Sequence, residues 1–165
     1  MENFTIRPIT PADDAPIARI IRENLKAHHL DIPGTAYFDP ELDCLSSFYG
    51  LKSGKRGYFV LTDGAGKVLG GVGIGEFTGF PNCAEVQKLY LIDPAKGRGL
   101  GKRLMETAEV FARSAGYGRL YLETHTNLVS AVGLYRKLGF RQIEKPAGVL
   151  HGTINLFFIK DFLPL

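Results

Sequence analysis

Apolar positions along the chain switch between two periods, and each switch marks an element. "NFTIRPI" alternates apolar and polar residues as an edge strand does. "PADDAPIARIIRENLKAHHL" follows, with Ile17, Ile20, Ile21 and Leu25 on one helical face and Thr10 or Asp13 as the cap. "DIPGTAYFDPELDCLSSFYGLKSGKRG" keeps no period and predicts only one short helix, around Leu42 to Tyr49. "YFVLTDGAGKVLGGVGIGEF" predicts two strands joined through Asp63-Gly64-Ala65-Gly66, and "CAEVQKLYLID" predicts a third. The helical period then returns: Leu100, Leu104, Ala108, Phe111 and Ala115 form a stripe, while Lys102, Arg103, Glu106, Glu109 and Arg113 mostly face water. A strand "RLYLET", a helix from about Leu128 to Leu138 and the strands "FRQIEK" and "LHGTINLFFIKDF" complete the pattern. Alternating elements of this kind predict an α/β fold: one domain over residues 1–165, with a mixed, mostly antiparallel sheet and a strand-helix-strand crossover in its middle.

Composition narrows the partners. With 165 residues, 45% of them hydrophobic and 22% charged, the chain reads as an ordinary soluble domain able to bury a core. A net charge of +3, carried by scattered basic residues, gives no face for nucleic acid. "MENFTIRPIT" lacks the pattern of a signal peptide, and "INLFFI" is too short to cross a bilayer, so no membrane partner is expected. Cys44 and Cys83 make no disulfide framework and sit at no zinc spacing, which predicts no metal and a reducing, cytoplasmic setting. The apolar last strand offers a surface for a homodimer.

The unusual stretch is "DPAKGRGLGKRLMETAEVFAR", where Gly97, Gly99 and Gly101 precede a helix. A helix start presents N–H groups without intrahelical acceptors and a partial positive charge. Bare backbone there lets a phosphate approach closely, and Lys96, Arg98, Lys102 and Arg103 add charge around it. The same glycines would equally serve a flexible turn. A Walker A loop fails at Lys96 and Arg103, and a dinucleotide fingerprint fails at Lys102.

Lys96, Gly99 and Gly101 fit the signature of the GNAT acetyltransferase superfamily (Gln or Arg, two residues, Gly, one residue, Gly or Ala), with Lys in place of Gln or Arg. "NLVSAVGLYRKLGF" resembles the family's later motif, and "QKLYLIDP" its strand before the loop; the likeness runs from about Leu61 to Phe140. It implies a GNAT-like fold of about seven strands flanked by about four helices. It also implies an enzyme that moves an acetyl group from acetyl-CoA to a primary amine by direct attack in a ternary complex. The pyrophosphate would rest on Lys96, Gly97, Arg98, Gly99, Leu100, Gly101 and Lys102, and the pantetheine amides would pair along Leu89, Tyr90 and Leu91. Asn127 matches a position that contacts CoA, though a plain helix cap explains it too.

Acyl transfer needs a base to free the amine of its proton, an N–H for the oxyanion and an acid for the departing thiolate. Tyr135 matches the acid of the family; its helical stripe with Ala131, Leu134 and Leu138 is equally that of a packed core tyrosine. Glu85 resembles the glutamate base of the histone-acetylating branch, with Glu123, His125 and His151 as rivals or acceptor contacts. Tyr37 and Phe38 lie in the irregular region that shapes the acceptor pocket in resembling proteins. A small-molecule amine, with an amino acid among the candidates, is the expected acceptor. A protein N-terminus or lysine, or a CoA-binding sensor without turnover, are the alternatives.

Overall fold

The computed structural model describes residues 2–162 and contains seven strands and four α-helices in the order β1 (Thr5–Pro8), α1 (Asp14–Ala27), α2 (Leu45–Gly50), β2 (Gly57–Thr62), β3 (Val68–Phe77), β4 (Cys83–Leu91), α3 (Leu100–Ser114), β5 (Arg119–Thr124), α4 (Val129–Lys137), β6 (Arg141–Ile143) and β7 (Leu156–Asp161). The strands form one sheet in the order β1-β2-β3-β4-β5-β7-β6. Every neighbouring pair is antiparallel except β4 and β5, which are joined through α3 as a parallel crossover.

Alternation along the strands builds the layers. In β2, Tyr58 and Val60 pack with Ile17, Ile21, Leu25, Leu42 and Leu45 on one face, while Leu61 faces Leu104, Met105, Ala108 and Ala112 of α3 on the other. The apolar stripe expected on α3 is the buried one, and Leu104 is fully buried. A smaller cluster closes the end of the sheet, where Phe77 stacks on Tyr121 with centroids 3.9 Å apart.

Some boundaries move. Asp13 holds the N-cap position of α1 at the end of a short 3-10 turn, but its carboxylate makes no cap bond to the helix and instead accepts from the Thr10 N–H (2.7 Å) and from Arg7 Nη1 (2.7 Å). The final strand begins only at Leu156, and residues 150–155 form a connection in which Ile154 N–H donates to His151 O. The Asp63 hairpin forms as expected, with the Asp63 carboxylate accepting from the N–H groups of Ala65 and Lys67 (2.9 Å each).

Two irregularities in β4 open the sheet. Pairing with β5 ends at Glu85↔Tyr121, so beyond Glu85 that edge of β4 has no strand partner among the described residues. On the other edge the register to β3 shifts between Gly71 and Gly73, and Lys88 bulges out with φ 50°. A left-handed lysine is strained backbone, held here by Tyr58 donating its hydroxyl to Lys88 O (2.9 Å).

Candidate active site

The splay of β4 from β5 opens into a cavity of about 1210 Å³ that runs from the glycine loop to a group of carboxylates. At the loop end Gly97 and Gly99 both have left-handed φ, 73° and 74°, and a Cβ on either would meet nothing within 4 Å. The space above them is free for a ligand, and the left-handed φ favours glycine at both positions. After Lys96, the next backbone N–H to find an acceptor among the described residues is that of Arg103, on Gly99 O (3.2 Å). The N–H groups from Gly97 to Lys102 thus remain available at the start of α3, which fits the pyrophosphate of a CoA ester.

Lys96 is held in place rather than loose. Its ammonium donates to Asn24 Oδ1 (2.9 Å) and to Asp93 (2.8 Å), while the Asn24 amide donates to Ile20 O (2.9 Å) and Leu91 O (3.0 Å). One amide on α1 therefore ties the end of β4 to the start of the glycine loop. Arg98 turns the other way: its guanidinium pairs with Glu2 and lies 4.8 Å above the Phe4 ring. Only its backbone faces the loop, and the Leu100 side chain is buried in the core.

Glu85 stands where the strands part. The two-residue period of β4 puts Gln87 on the same face; Gln87 Nε2 donates to Glu85 Oε1 (2.6 Å), and Tyr49 donates its hydroxyl to Gln87 Oε1 (2.7 Å). Tyr49 thereby fixes which end of the amide meets the carboxylate. Crowding by protein, and then the charge of Glu123, push the Glu85 pKa up to about 7. That is the range for taking a proton at neutral pH.

Beyond Glu85 lies an ion network. His151 bridges Asp39 Oδ1 (2.7 Å) and Glu123 Oε1 (2.9 Å), and these two hydrogen bonds raise its pKa to about 10, so the ring is an imidazolium. Tyr121 donates to the second oxygen of Glu123 (2.8 Å). Lys88 donates to Asp39 (2.6 Å) and Glu41 (3.3 Å). Burial acts against the Asp39 carboxylate, but the His151 bond and Lys88 hold it below the ordinary value.

Tyr135 is packed in the core and also reaches the cavity. Its ring packs against Phe140 (6.1 Å) and Phe158 (6.2 Å), and the residue is 6% exposed. It also lines the cavity, and among the described residues its hydroxyl has no hydrogen-bond partner. Burial pushes that phenol well above the usual tyrosine value, so it keeps its proton.

The cavity wall thus unites Glu85, Glu123, His151, Tyr135, Leu89, Tyr90, Leu91, Lys96, Gly97, Gly99, Gly101 and Lys102. Six expected residues lie outside it: Arg98 and Leu100, whose side chains turn to Glu2 and to the core, and Tyr37, Phe38, His125 and Asn127. Tyr37 and Phe38 pack on each other at 5.2 Å, with Phe38 exposed. His125 Nδ1 accepts the Asn127 N–H (3.0 Å), and the Asn127 amide donates to His28 O (2.9 Å), so both are spent on shaping the turn before α4. Asp39, Glu41, Gln87, Lys88 and Asn24 were not singled out from the sequence. Strand alternation from Glu85 points to Gln87; nothing local points to Asp39, which lies 112 positions from its partner His151.

The chain matches the model of the acetyltransferase (GNAT) family over residues 21–140. It is 37% identical over 145 residues to an uncharacterized N-acetyltransferase of Escherichia coli, YjgM, covering 87% of this chain and 85% of that one. Over 91 residues, 52% of each chain, it is 33% identical to the L-methionine sulfoximine/L-methionine sulfone acetyltransferase of Pseudomonas aeruginosa. Its fold is similar to that of a phosphinothricin acetyltransferase from Sinorhizobium meliloti in complex with acetyl-CoA, with TM-score 0.73 and 24% identity over 96% of this chain and 88% of that one.

Proposed function

The chain belongs to the acetyltransferase (GNAT) family and is an acetyl-CoA-dependent N-acetyltransferase, and on that premise we propose that it acetylates the primary amine of a small molecule by direct attack in a ternary complex. The observation that carries this reading is the continuity of the cavity. It joins a glycine loop with unspent N–H groups to a carboxylate whose pKa is about 7, past a phenol with no partner.

Bound acetyl-CoA supplies the activated acetyl thioester. Gly97 to Lys102 would hold its pyrophosphate, with Lys96 adding charge, and the unpaired edge of β4 from Leu89 to Leu91 would bond its amides. Glu85, ionised through half its population near pH 7, takes the proton that the acceptor ammonium must lose. Gln87 keeps that carboxylate aimed at the cavity. Tyr135, protonated at every physiological pH, holds a proton at its hydroxyl for the leaving sulfur. The name of the Pseudomonas relative supports a small acceptor.

Calorimetry with acetyl-CoA, beside an assay of free thiol release over an amine library, tests this. The wild type is expected to bind at micromolar strength and to release thiol with some amines, and Gly99→Glu to abolish both. Binding by Gly99→Glu as tight as that of the wild type would remove the loop from the cofactor site.

A further inference from the structure

The cavity is electrically polarised along its length. Lys96 and Lys102 line the loop end, whereas Asp39, Glu41, Glu76, Glu85 and Glu123 line the far end. The far end holds three cations, and each is already in a carboxylate pair. Arg56 grips Glu76 through Nη2 (2.7 Å) and Nε (2.9 Å), Lys88 is shared by Asp39 and Glu41, and His151 by Asp39 and Glu123. Carboxylate capacity remains: among the described residues Glu41 has only its 3.3 Å contact with Lys88, and Glu85 only the amide of Gln87. Tyr135, 6% exposed with an unpartnered hydroxyl, lines the same cavity and marks it independently as a ligand site.

Chemistry then limits the acceptor. Its nitrogen must reach Glu85 to lose a proton. An α-carboxylate is attached one carbon from that nitrogen, so it would be carried into the same wall, close to Glu85 and Glu123, where each cation among the described residues is already paired. An ammonium without a carboxylate meets the opposite field and is drawn toward Glu41 and Glu85. We propose that the acceptor is an amine with no carboxylate of its own, a monoamine or diamine that is cationic in solution, rather than an amino acid. The proposal rests on the reading of this cavity as the acetyl-transfer site.

Matched pairs isolate the carboxylate: phenethylamine with phenylalanine, tyramine with tyrosine, cadaverine with lysine. Initial rates of thiol release from acetyl-CoA with the full chain should give kcat/KM at least about tenfold higher for the amine than for its amino acid in the best pair. The carboxamide of that amino acid keeps the bulk without the charge, and should recover much of the difference. A free amino acid that matches or exceeds its amine overturns the proposal while leaving acetyl transfer intact. Binding of acetyl-CoA with no thiol release for any member of any pair overturns the transfer reading itself, and this inference with it.

Discussion

Glu85 and Gln87 show how much two alternate positions on one strand can decide. Desolvation raises the carboxylate, and the Gln87 amide partly offsets that by bonding its ionised form, leaving a pKa of about 7. The sign for turnover follows directly. The base must be ionised, so kcat with a good acceptor should rise with pH through about 7 and level off above it. Glu85→Gln should lower kcat by about a hundredfold or more and flatten that rise. A pH profile unchanged in Glu85→Gln would move the base elsewhere in the network. The residue itself was legible through the family resemblance of its offset before the glycine loop. Its partner Tyr49 was not, because the hydrogen bond crosses 38 positions of irregular chain.

At the scale of elements, the site depends on what β4 and α3 fail to pair. The unpaired edge of β4 and the N–H groups at the head of α3 are both backbone polarity left for a ligand. Asn24 of α1 holds the two together, because it bonds Leu91 O and orients Lys96 at once. Asn24→Ala removes these bonds without burying a new charge, and should weaken acetyl-CoA binding about tenfold in calorimetry while kcat at saturation changes little. Unchanged affinity would show that Lys96 reaches its position unaided. The glycine spacing and the amphipathic stripe of α3 were readable because they are local. The role of Asn24 was not, since its partners lie 67 and 72 positions away.

For the whole molecule, His151 is the clasp between the connection before β7, the segment around Asp39 and strand β5. Its folded pKa, about 10, lies above the ordinary 6.5, so its stabilising effect is complete below about pH 6.5 and is lost as pH rises through about 10. Thermal unfolding should therefore show Tm falling across that window in the wild type, and a lower, flatter Tm in His151→Asn. Equal slopes for the two proteins would show that the clasp carries no charge. The sequence by itself determined the α/β class, the order of the elements, the glycine loop before α3 and the candidacy of Glu85 and Tyr135. The first three rest on periodicity or on spacing within a few turns of chain, and the candidacy of Glu85 and Tyr135 on the resemblance of their motifs to those of the family. Only the tertiary structure decided that Tyr135 is both packed and open to the cavity. The same holds for Arg98 turning to Glu2 and for Asp39, Lys88, His151 and Glu123 forming one network. Those outcomes depend on contacts between distant segments and on how far burial removes each charge from water. Neither quantity exists until the sheet has formed and β4 has parted from β5.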